Sequence, residues 1–436
     1  MQRSARLAGL PLSFVGRTAI GWGQRMTGAD ADAVSARVLE KNAEHLFAVL
    51  GELKGGAMKL GQALSVYESM IPAEFAEPYQ QALTRLQAQG PAMPVERVHR
   101  VLDEQLGRAW RRHFREFDDV PAAAASIGQV HRGIWNDGRD VAVKVQYPGA
   151  DVALQVDLKQ LERFSRLLTL VVPGLDARSL IREVRERMLE ELDYHSEAEH
   201  QRRFAAVFAD DPHVRVPAVL ASAPKVIISE WLDGPPLSQL IRQTPRTPAD
   251  QLERDRIARI VVELLFCSPA RTGLLHADPH PGNFLLLADG RVGVIDFGSV
   301  AVLPDGTPPI LGRIVRYAAD RQGEDMMALL RAERFVTGDV SADDVLRWLG
   351  ALADPLRTDE FHFTREWMSR QGVRVANPTS NAYRQTGRAL NLPAEYMLVA
   401  RVTGGWMNIL AQLDCRVQAR AIAEQWLPGF AESPYL

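Results

Sequence analysis

The chain has 436 residues, of which 46% are hydrophobic and 24% are charged, and this composition is typical of a globular protein, not of a disordered, fibrous or disulfide-stapled chain. The formal net charge of −3 does not indicate nucleic acid as a partner. Two cysteines, Cys267 and Cys415, exclude a disulfide scaffold and suit a reducing compartment, and we expect both as small buried side chains.

Residues 1–28 form a basic N-terminal tail with four arginines and no acidic residue, interleaved with apolar side chains. This pattern is typical of a segment on an anionic membrane surface, and a frayed basic tail explains it equally well. Pro11 and Arg17 interrupt the apolar run, which argues against a signal peptide. No apolar stretch reaches the roughly 20 residues of a membrane span. We therefore expect a cytoplasmic protein, with peripheral attachment at the inner face of the membrane as an option.

The remaining chain divides into three predicted regions by its periodicity. Over residues 29–117 the apolar residues recur at helical spacing, which predicts a helical region. Residues 118–232 contain short β-like runs with inserted helices, and residues 233–436 are mostly helical. The tetrapeptides at 136–139 and 288–291 each contain Asp-Gly and are typical of hairpin tips.

The most specific segment is residues 276–283, His-Ala-Asp-Pro-His-Pro-Gly-Asn, which an apolar hairpin separates from Asp-Phe-Gly at 296–298. Phosphoryl transfer needs a carboxylate that orients the acceptor, and oxygen ligands for Mg²⁺ on the nucleotide phosphates. Asp278 and Asn283 are spaced as in a kinase catalytic loop, and Asp296 opens a D-F-G triplet. We predict Asp278 as the catalytic carboxylate, with Asn283 and Asp296 facing one metal ion.

Residues 123–130 fit the kinase phosphate loop with alanine in its first two glycine positions. The nucleotide-binding residues predicted here are Ala123, Ala124, Ala125, Ser126, Gly128 and Val130. Because Cβ atoms restrict positive φ, we expect the alanines to favour a helical turn and tighter phosphate contacts. Lys144 ends a V-A-V-K strand and is one of only six lysines, which favours a phosphate-binding ammonium.

Two further elements complete the predicted nucleotide site. A kinase lysine needs a glutamate on a helix, and the predicted helix Arg178 to Arg203 offers many acidic residues among which the sequence does not choose. They are Glu183, Glu186, Glu190, Glu191, Asp193, Glu197 and Glu199. The apolar strand at 224–232 would lead to the hinge between lobes, where backbone near Glu230 and Leu232 would bind adenine.

Together these motifs resemble the UbiB/AarF family of atypical kinases over about residues 29–303. Two signatures strengthen the resemblance: K-x-G-Q at 59–62 and E-x-D at 191–193. The resemblance implies an α+β, two-lobed, protein-kinase-like fold whose N-terminal helical extension packs over the nucleotide cleft. It also implies that the extension gates the cleft through the residues Lys59, Gly61, Gln62, Glu191 and Asp193.

The resemblance further implies that Glu197 pairs with Lys144 and that ATP or ADP binds with Mg²⁺. The expected function is an ATP-binding atypical kinase or ATPase with an occluded active site. It would support isoprenoid-quinone or related lipid metabolism, with a lipid or isoprenoid as a further ligand.

No A-P-E triplet follows the D-F-G, which disfavours peptide phosphorylation.

Two alternative functions remain open from the sequence. His276, Asp278, His280 and Asn283 also fit the loop of aminoglycoside and choline kinases, small-molecule phosphotransferases that lack the K-x-G-Q and E-x-D motifs. A nucleotide-sensing scaffold without turnover is the other alternative, which the alanine-rich loop keeps open.

Overall fold

The computed structural model describes residues 92–125, 127–152, 192–376, 385–387 and 389–431, together with Arg185. Several predicted features lie outside these residues. They are the basic tail 1–28, the helical region as far as residue 91, and the residues Lys59, Gly61, Gln62, Ser126 and Glu191.

The first lobe is a five-stranded antiparallel sheet with a helix on each face. Its elements are α1 (Val95–Leu106), β1 (Phe114–Ala125), β2 (Gly128–Trp135), β3 (Asp140–Gln146), α2 (Tyr194–Val207), β5 (Val219–Ala223) and β6 (Val226–Glu230). The strand order in the sheet is β1-β2-β3-β6-β5. The sheet begins at Phe114, four residues before the lobe boundary expected from the sequence. The two-residue strand β4 (Val214–Arg215) pairs instead with the second lobe.

Alternation along β3 decides which side chains meet each helix. Val141, Val143 and Val145 are completely buried and pack in one cluster with α1. Because successive side chains of a strand point to opposite faces, Lys144 projects from the other face. On that face, α2 packs through Tyr194 and other apolar residues.

The second lobe is mostly helical. Its elements are α3 (Leu237–Arg242), α4 (Pro248–Thr272), β7 (Leu274–His276), β8 (Phe284–Leu286), β9 (Val292–Val294), β10 (Val300–Val302), α5 (Pro309–Ala319), α6 (Gly323–Ala332), α7 (Ala342–Trp348), α8 (Gly350–Ala353), β11 (Phe361–Phe363), α9 (Arg365–Ala376), α10 (Ala394–Leu413), β12 (Cys415–Val417) and α11 (Ala419–Trp426). A fold of two such lobes, one sheet-based and one helical, confirms the α+β, kinase-like architecture.

Helix α4 is the central support of the second lobe. Thr247 and Asp250 form a capping box at its N-terminus, which satisfies backbone donors that the first helical turn leaves free. The chain leaves the helix through Gly273, whose φ of 68° lies in the left-handed region that glycine tolerates best. It then enters β7 directly. Residues 277–283 after β7, the predicted catalytic loop, are therefore fixed to a long helix with many buried residues.

Both predicted hairpin turns are confirmed. Gly138 and Gly290 occupy the turns with φ of 97° and 86°, values that glycine adopts readily. The second turn joins β8 to β9, which pair antiparallel. The cysteines are also buried as predicted, and burial raises the pKa of the Cys267 thiol to about 12. Among the described residues, none of the helices combines the length and apolar character needed to cross a membrane.

Candidate active site

The strand register places three of the predicted nucleotide-binding residues in one row. Ala123 pairs with Val130, Val130 with Lys144, and Lys144 with Ile227. Paired residues of neighbouring strands share a face of the sheet, so these side chains line the face that α2 covers. Gly128 closes the same hairpin opposite Ala125.

The alanine segment itself differs from its prediction. Ala123, Ala124 and Ala125 are extended in β1 and pair with β2, so the expected helical turn is wrong. Alanine has a high intrinsic helix propensity, but such propensities are small per residue, and the cross-strand pairing of the backbone overrides them here. Ile127 lies in the turn before β2. We call residues 123–125 and 127–130 the phosphate hairpin.

Position 128 requires glycine because the backbone of β3 lies too close to leave room for a Cβ atom, and not because its φ is unusual. A Cβ atom built on it would lie 2.3 Å from the carbonyl oxygen of Val145 and 2.8 Å from the hydroxyl of Tyr194. Real side chains do not approach a carbonyl oxygen so closely. The phosphate hairpin therefore lies directly on β3 and on the first residue of α2.

Lys144 is held by two carboxylates. Its Nζ donates to both carboxylate oxygens of Glu197, at 2.7 and 2.9 Å, and lies 3.8 Å from Oδ2 of Asp296. Burial alone would lower the pKa of the ammonium, but the charges of Asp296 and Glu197 outweigh burial and hold the pKa of Lys144 well above its usual range. Lys144 is thus a permanent cation that links the sheet, α2 and the D-F-G segment.

The D-F-G segment is anchored by its buried phenylalanine. Phe297 is completely buried, with its ring centroid 5.0 Å from that of Phe204 on α2 and 5.6 Å from that of His276. The Nε2 of His276 lies 2.6 Å from the carbonyl oxygen of Asp296 and must donate to it, since a carbonyl only accepts. The amide of Gly298 donates to Asp296 Oδ1 at 3.0 Å. These contacts fix the Asp296 carboxylate toward Lys144.

The β8–β9 hairpin brings the catalytic loop to the same place. The amide of Ile295 donates to the carbonyl of Asn283 at 3.1 Å, so Asn283 lies across from the residue that precedes Asp296. The side-chain amide of Asn283 donates to the carbonyl of Asp278 at 3.5 Å. Asp278 itself is buried at the end of this loop. The structure thus collects Asp278, Asn283 and Asp296 below Lys144.

These groups are chemically suited to magnesium and phosphate. Asn283 and Asp296 offer amide and carboxylate oxygens, the hard ligands that Mg²⁺ prefers, and Mg²⁺ commonly uses one or two carboxylates with phosphate and water. Lys144 supplies a cation that phosphate oxygens can contact. The donor set therefore fits a magnesium nucleotide.

The hinge contains one free backbone donor at a predicted position. The amide of Glu230 donates to Ala218 and that of Trp231 to Asp140, at 3.0 and 2.9 Å, so both are occupied. The amide of Leu232 has no hydrogen-bond partner in the described part of the chain. The Leu232 N–H is therefore one hinge donor that the described residues leave unoccupied. The hinge is held to the second lobe by Leu286, whose amide donates to Pro235 at 2.9 Å.

Asp193, predicted as a gating residue, has a structural contact of its own. It is the N-cap of α2, where its side chain accepts from the amides of His195 and Ser196 at 3.0 and 3.3 Å. It therefore fixes the start of the helix that carries Glu197.

The sequence prediction missed two residues that position Lys144. Lys144 Nζ lies 5.0 Å from the centroid of the buried Tyr194 ring, within the range of a cation–π contact. The side chain of Gln146 donates to the carbonyl of Leu192 at 3.0 Å and ties β3 to the start of α2. Tyr194 directly follows the E-x-D motif, and this position was the one signal in the sequence that pointed to it.

Comparisons with known proteins agree with this geometry. Residues 85–330 match the profile of the ABC1 atypical kinase-like domain. The chain is 31% identical over 307 residues to "Atypical kinase coq-8, mitochondrial" of Caenorhabditis elegans, covering 69% of this chain and 39% of that protein. It is 30% identical over 302 residues to "Atypical kinase COQ8B, mitochondrial" of Rattus norvegicus, covering 69% and 56%. It is also similar to "Protein ACTIVITY OF BC1 COMPLEX KINASE 1, chloroplastic" of Arabidopsis thaliana, at 32% identity over 335 residues, 75% of this chain and 47% of that protein.

A solved structure is similar over nearly the whole chain. It is the complex of Rv3197 with erythromycin from Mycobacterium tuberculosis, at 45% identity and a TM-score of 0.67, covering 93% of this chain and 100% of that chain. The chain spans about half the length of the curated relatives named above, between 39% and 56%. The profile match covers more than half of the sequence and confirms the resemblance, so the chain belongs to the family of ABC1 atypical kinase-like proteins, the UbiB family.

Proposed function

We propose that this chain binds ATP or ADP with Mg²⁺ and acts as an atypical kinase or ATPase. The observation that carries the proposal is the position of Lys144, which contacts both oxygens of Glu197 and lies 3.8 Å from Asp296. In protein kinases the lysine–glutamate pair and the D-F-G aspartate must both be in place for phosphoryl transfer. The buried Phe297 supports the same arrangement.

The residues have distinct roles in this proposal. Lys144 holds phosphate oxygens, and Asn283 and Asp296 would hold Mg²⁺, which when bound neutralises charge that develops on the phosphates. Asp278 orients the acceptor hydroxyl or water and accepts its proton. The face formed by Ala123 and Val130 lies above the nucleotide. The Leu232 amide donates to the adenine ring.

The chain between D-F-G and α5 supports an acceptor other than a peptide. Residues 299–308 contain the short strand β10, which pairs with β7, and the amide of Leu303 then donates to the carbonyl of Gly273 at 2.8 Å. The segment is thus tied to the end of α4 and offers no long platform for a peptide.

A nucleotide-binding assay tests the assignment of the site. Mg²⁺ with ATP or ADP should raise the melting temperature of the wild-type chain, and Asp296→Asn should abolish the shift. Asp278→Asn should keep the shift but lose phosphate release. The matched control is Asp339→Asn, an exposed carboxylate between α6 and α7. Equal shifts in wild type and Asp296→Asn would contradict the metal site. Equal phosphate release in wild type and Asp278→Asn would leave the nucleotide-sensing scaffold as the better function.

We also propose that the N-terminal extension occludes the cleft and that the protein serves isoprenoid-quinone or related lipid metabolism, at the inner face of a membrane. The support is the K-x-G-Q and E-x-D motifs, the basic tail, and relatives of the COQ8 group. Asp193 caps α2 and is exposed at the front of the cleft, where an extension could reach it.

Lys59→Ala tests the occlusion. If Lys59 and Gln62 close the cleft near Asp193, the variant should show altered preference between ATP and ADP or a faster basal release of phosphate. Lys54→Ala, five residues earlier in the sequence, is the comparison variant. The same nucleotide preference and the same rate in Lys59→Ala and wild type would contradict the occlusion.

A further inference from the structure

Behind the phosphate hairpin, on the face of the sheet that α1 covers, three buried hydrogen bonds form a continuous chain. The backbone amide of Met93, just before α1, donates to Oε1 of Gln129 at 2.7 Å. The side-chain nitrogen of Gln129 lies 2.8 Å from Nε2 of His131, and Nδ1 of His131 lies 2.8 Å from the carbonyl oxygen of Asp118. Gln129 is 1% exposed and His131 is fully buried. We call these four residues the Gln129–His131 relay.

The backbone groups at the two ends of the relay fix every proton in it. The Met93 N–H only donates, so it must meet the oxygen of the Gln129 amide, and the Gln129 nitrogen then donates to Nε2 of His131. The Asp118 carbonyl only accepts, so Nδ1 of His131 carries the ring proton. The relay is therefore complete with a neutral imidazole that is protonated on Nδ1 alone.

One end of the relay holds a bulged part of β1. Between Phe117 and Ala123 the pairing of β1 with β2 shifts register twice, and a bulge interrupts the backbone hydrogen bonds of the ladder. His131 ties this part of β1 to β2 through its bond to the Asp118 carbonyl. The Phe117 ring also stacks on the imidazole, with 5.2 Å between the ring centroids. Ala123, where pairing resumes after the bulge, begins the phosphate hairpin.

The other end of the relay lies where the chain enters α1, and Gln129 itself is part of the phosphate hairpin. We propose that Gln129 and His131 are positioning residues, and that the relay holds the phosphate hairpin in its nucleotide-binding position only while His131 is neutral. Acid then weakens nucleotide binding through a histidine on the opposite face of the sheet from Lys144. This inference rests on the proposed nucleotide function and adds a control of binding that is built into the sheet.

Protonation of His131 breaks the relay, because it places a second N–H on the ring. The Nε2–H would face the amide nitrogen of Gln129, and two donors cannot pair. A flip of the Gln129 amide would satisfy the imidazolium but would turn the amide nitrogen toward the Met93 N–H, which is again a pair of donors. One link of the relay is lost in either orientation.

The groups around His131 keep the imidazole neutral at ordinary pH. Burial is the largest effect and holds the pKa of His131 below its ordinary value. The hydrogen bond to Asp118 and the charges of Asp118 and Asp119, both on β1, oppose this shift, and His99 of α1 adds to it. His99 Nε2 in turn lies 2.7 Å from Oδ1 of Asp119 and 2.9 Å from a guanidinium nitrogen of Arg111. The relay is thus intact at neutral pH and breaks as the pH falls.

The amide resonance of Met93 reports the relay without nucleotide. In protein labelled with ¹⁵N-methionine, this resonance is assigned by its loss in Met93→Leu. It should move between about pH 8 and about pH 5 in the wild type, with a midpoint below the ordinary pKa of histidine. His131→Gln has no proton to gain, so its Met93 resonance should stay in place. His99→Gln removes the partly exposed histidine outside the relay and should keep the wild-type titration.

Calorimetric titration with Mg²⁺-ADP at the same two pH values measures the effect on the nucleotide. Gln129→Glu reverses the requirement for a neutral ring, because a carboxylate accepts both from the Met93 amide and from a protonated Nε2 of His131. On acidification the wild type should lose about fivefold more affinity than Gln129→Glu or His131→Gln, a ratio typical of one lost hydrogen bond. Comparing the proteins at each pH cancels the protonation of the nucleotide itself.

The outcomes separate the relay from the proposed function. A Met93 resonance that does not move with pH in the folded wild type, or that moves equally in His131→Gln, would overturn the relay. A moving resonance with equal losses of affinity in wild type and Gln129→Glu would overturn the positioning role. If the wild type binds no nucleotide at either pH, the proposed function fails and the positioning role fails with it, whereas the Met93 titration still decides whether the relay exists.

Discussion

Replacing Glu197 by glutamine is expected to reduce Mg²⁺-ATP affinity at least about tenfold and to destabilise the protein by about 3 kcal/mol, the order of the cost of breaking a buried ion pair. The Glu197 side chain is 3% exposed and the Lys144 side chain 19% exposed, so solvent screens this pair little. Once the carboxylate is lost, Asp296 is the nearest anion to the ammonium in the described part of the chain, at 3.8 Å. Lys144 would then move toward the D-F-G aspartate and occupy the carboxylate that is proposed to bind magnesium.

The control for this prediction is Glu199→Gln on the same helix. Glu199 is 65% exposed and pairs with Arg202 at 2.5 Å in the i,i+3 arrangement, a type of surface pair that contributes little to stability. Denaturant unfolding gives the stability difference and calorimetric titration gives the affinity. If the two variants had the same stability and affinity, the pair with Lys144 would not organise the site.

In the Lys144–Glu197 pair, one partner could be predicted from the residue pattern alone and the other could not. Alternation along β3 placed Lys144 on the face opposite the three buried valines, because a strand has a period of two and needs no distant information. The choice of Glu197 among seven acidic candidates was different. It depends on where α2 begins and on how the helix crosses the sheet, and only the family resemblance singled out this glutamate.

The catalytic loop was predictable because its spacing is local. Asp278 and Asn283 lie on one loop, and the Asp-Gly turn at 288–291 is enough to return the chain to Asp296. Their roles in catalysis and metal binding remain predictions. The conformation of the alanine segment was not predictable from residue preferences, since strand pairing with β2 decides it. The same is true of Tyr194, whose place beside Lys144 arises from packing between elements far apart in the sequence.

Replacing Gly128 by alanine is expected to lower the free energy of unfolding by about 1–3 kcal/mol, the usual cost of overpacking. We expect the same variant to bind nucleotide more weakly. The added Cβ would meet the Val145 carbonyl oxygen at 2.3 Å. That oxygen belongs to the backbone of β3 and cannot rotate away as a side chain could. The phosphate hairpin must lift from β3 to relieve the overlap, and Ala123 and Val130 would move away from the row that they form with Lys144.

Two further variants separate this effect from the general cost of changing a glycine. Among the described residues, a Cβ atom on Gly404 of α10 meets nothing within 4 Å apart from its chain neighbours and the backbone of its own helix. Gly404→Ala should therefore be neutral or slightly stabilising, because alanine favours helix over glycine. Adding Tyr194→Phe to Gly128→Ala removes the hydroxyl at 2.8 Å but leaves the carbonyl contact. The double variant should therefore regain little of the Mg²⁺-ATP thermal shift. A full recovery would mean that the tyrosine, and not the backbone of β3, sets the position of the phosphate hairpin.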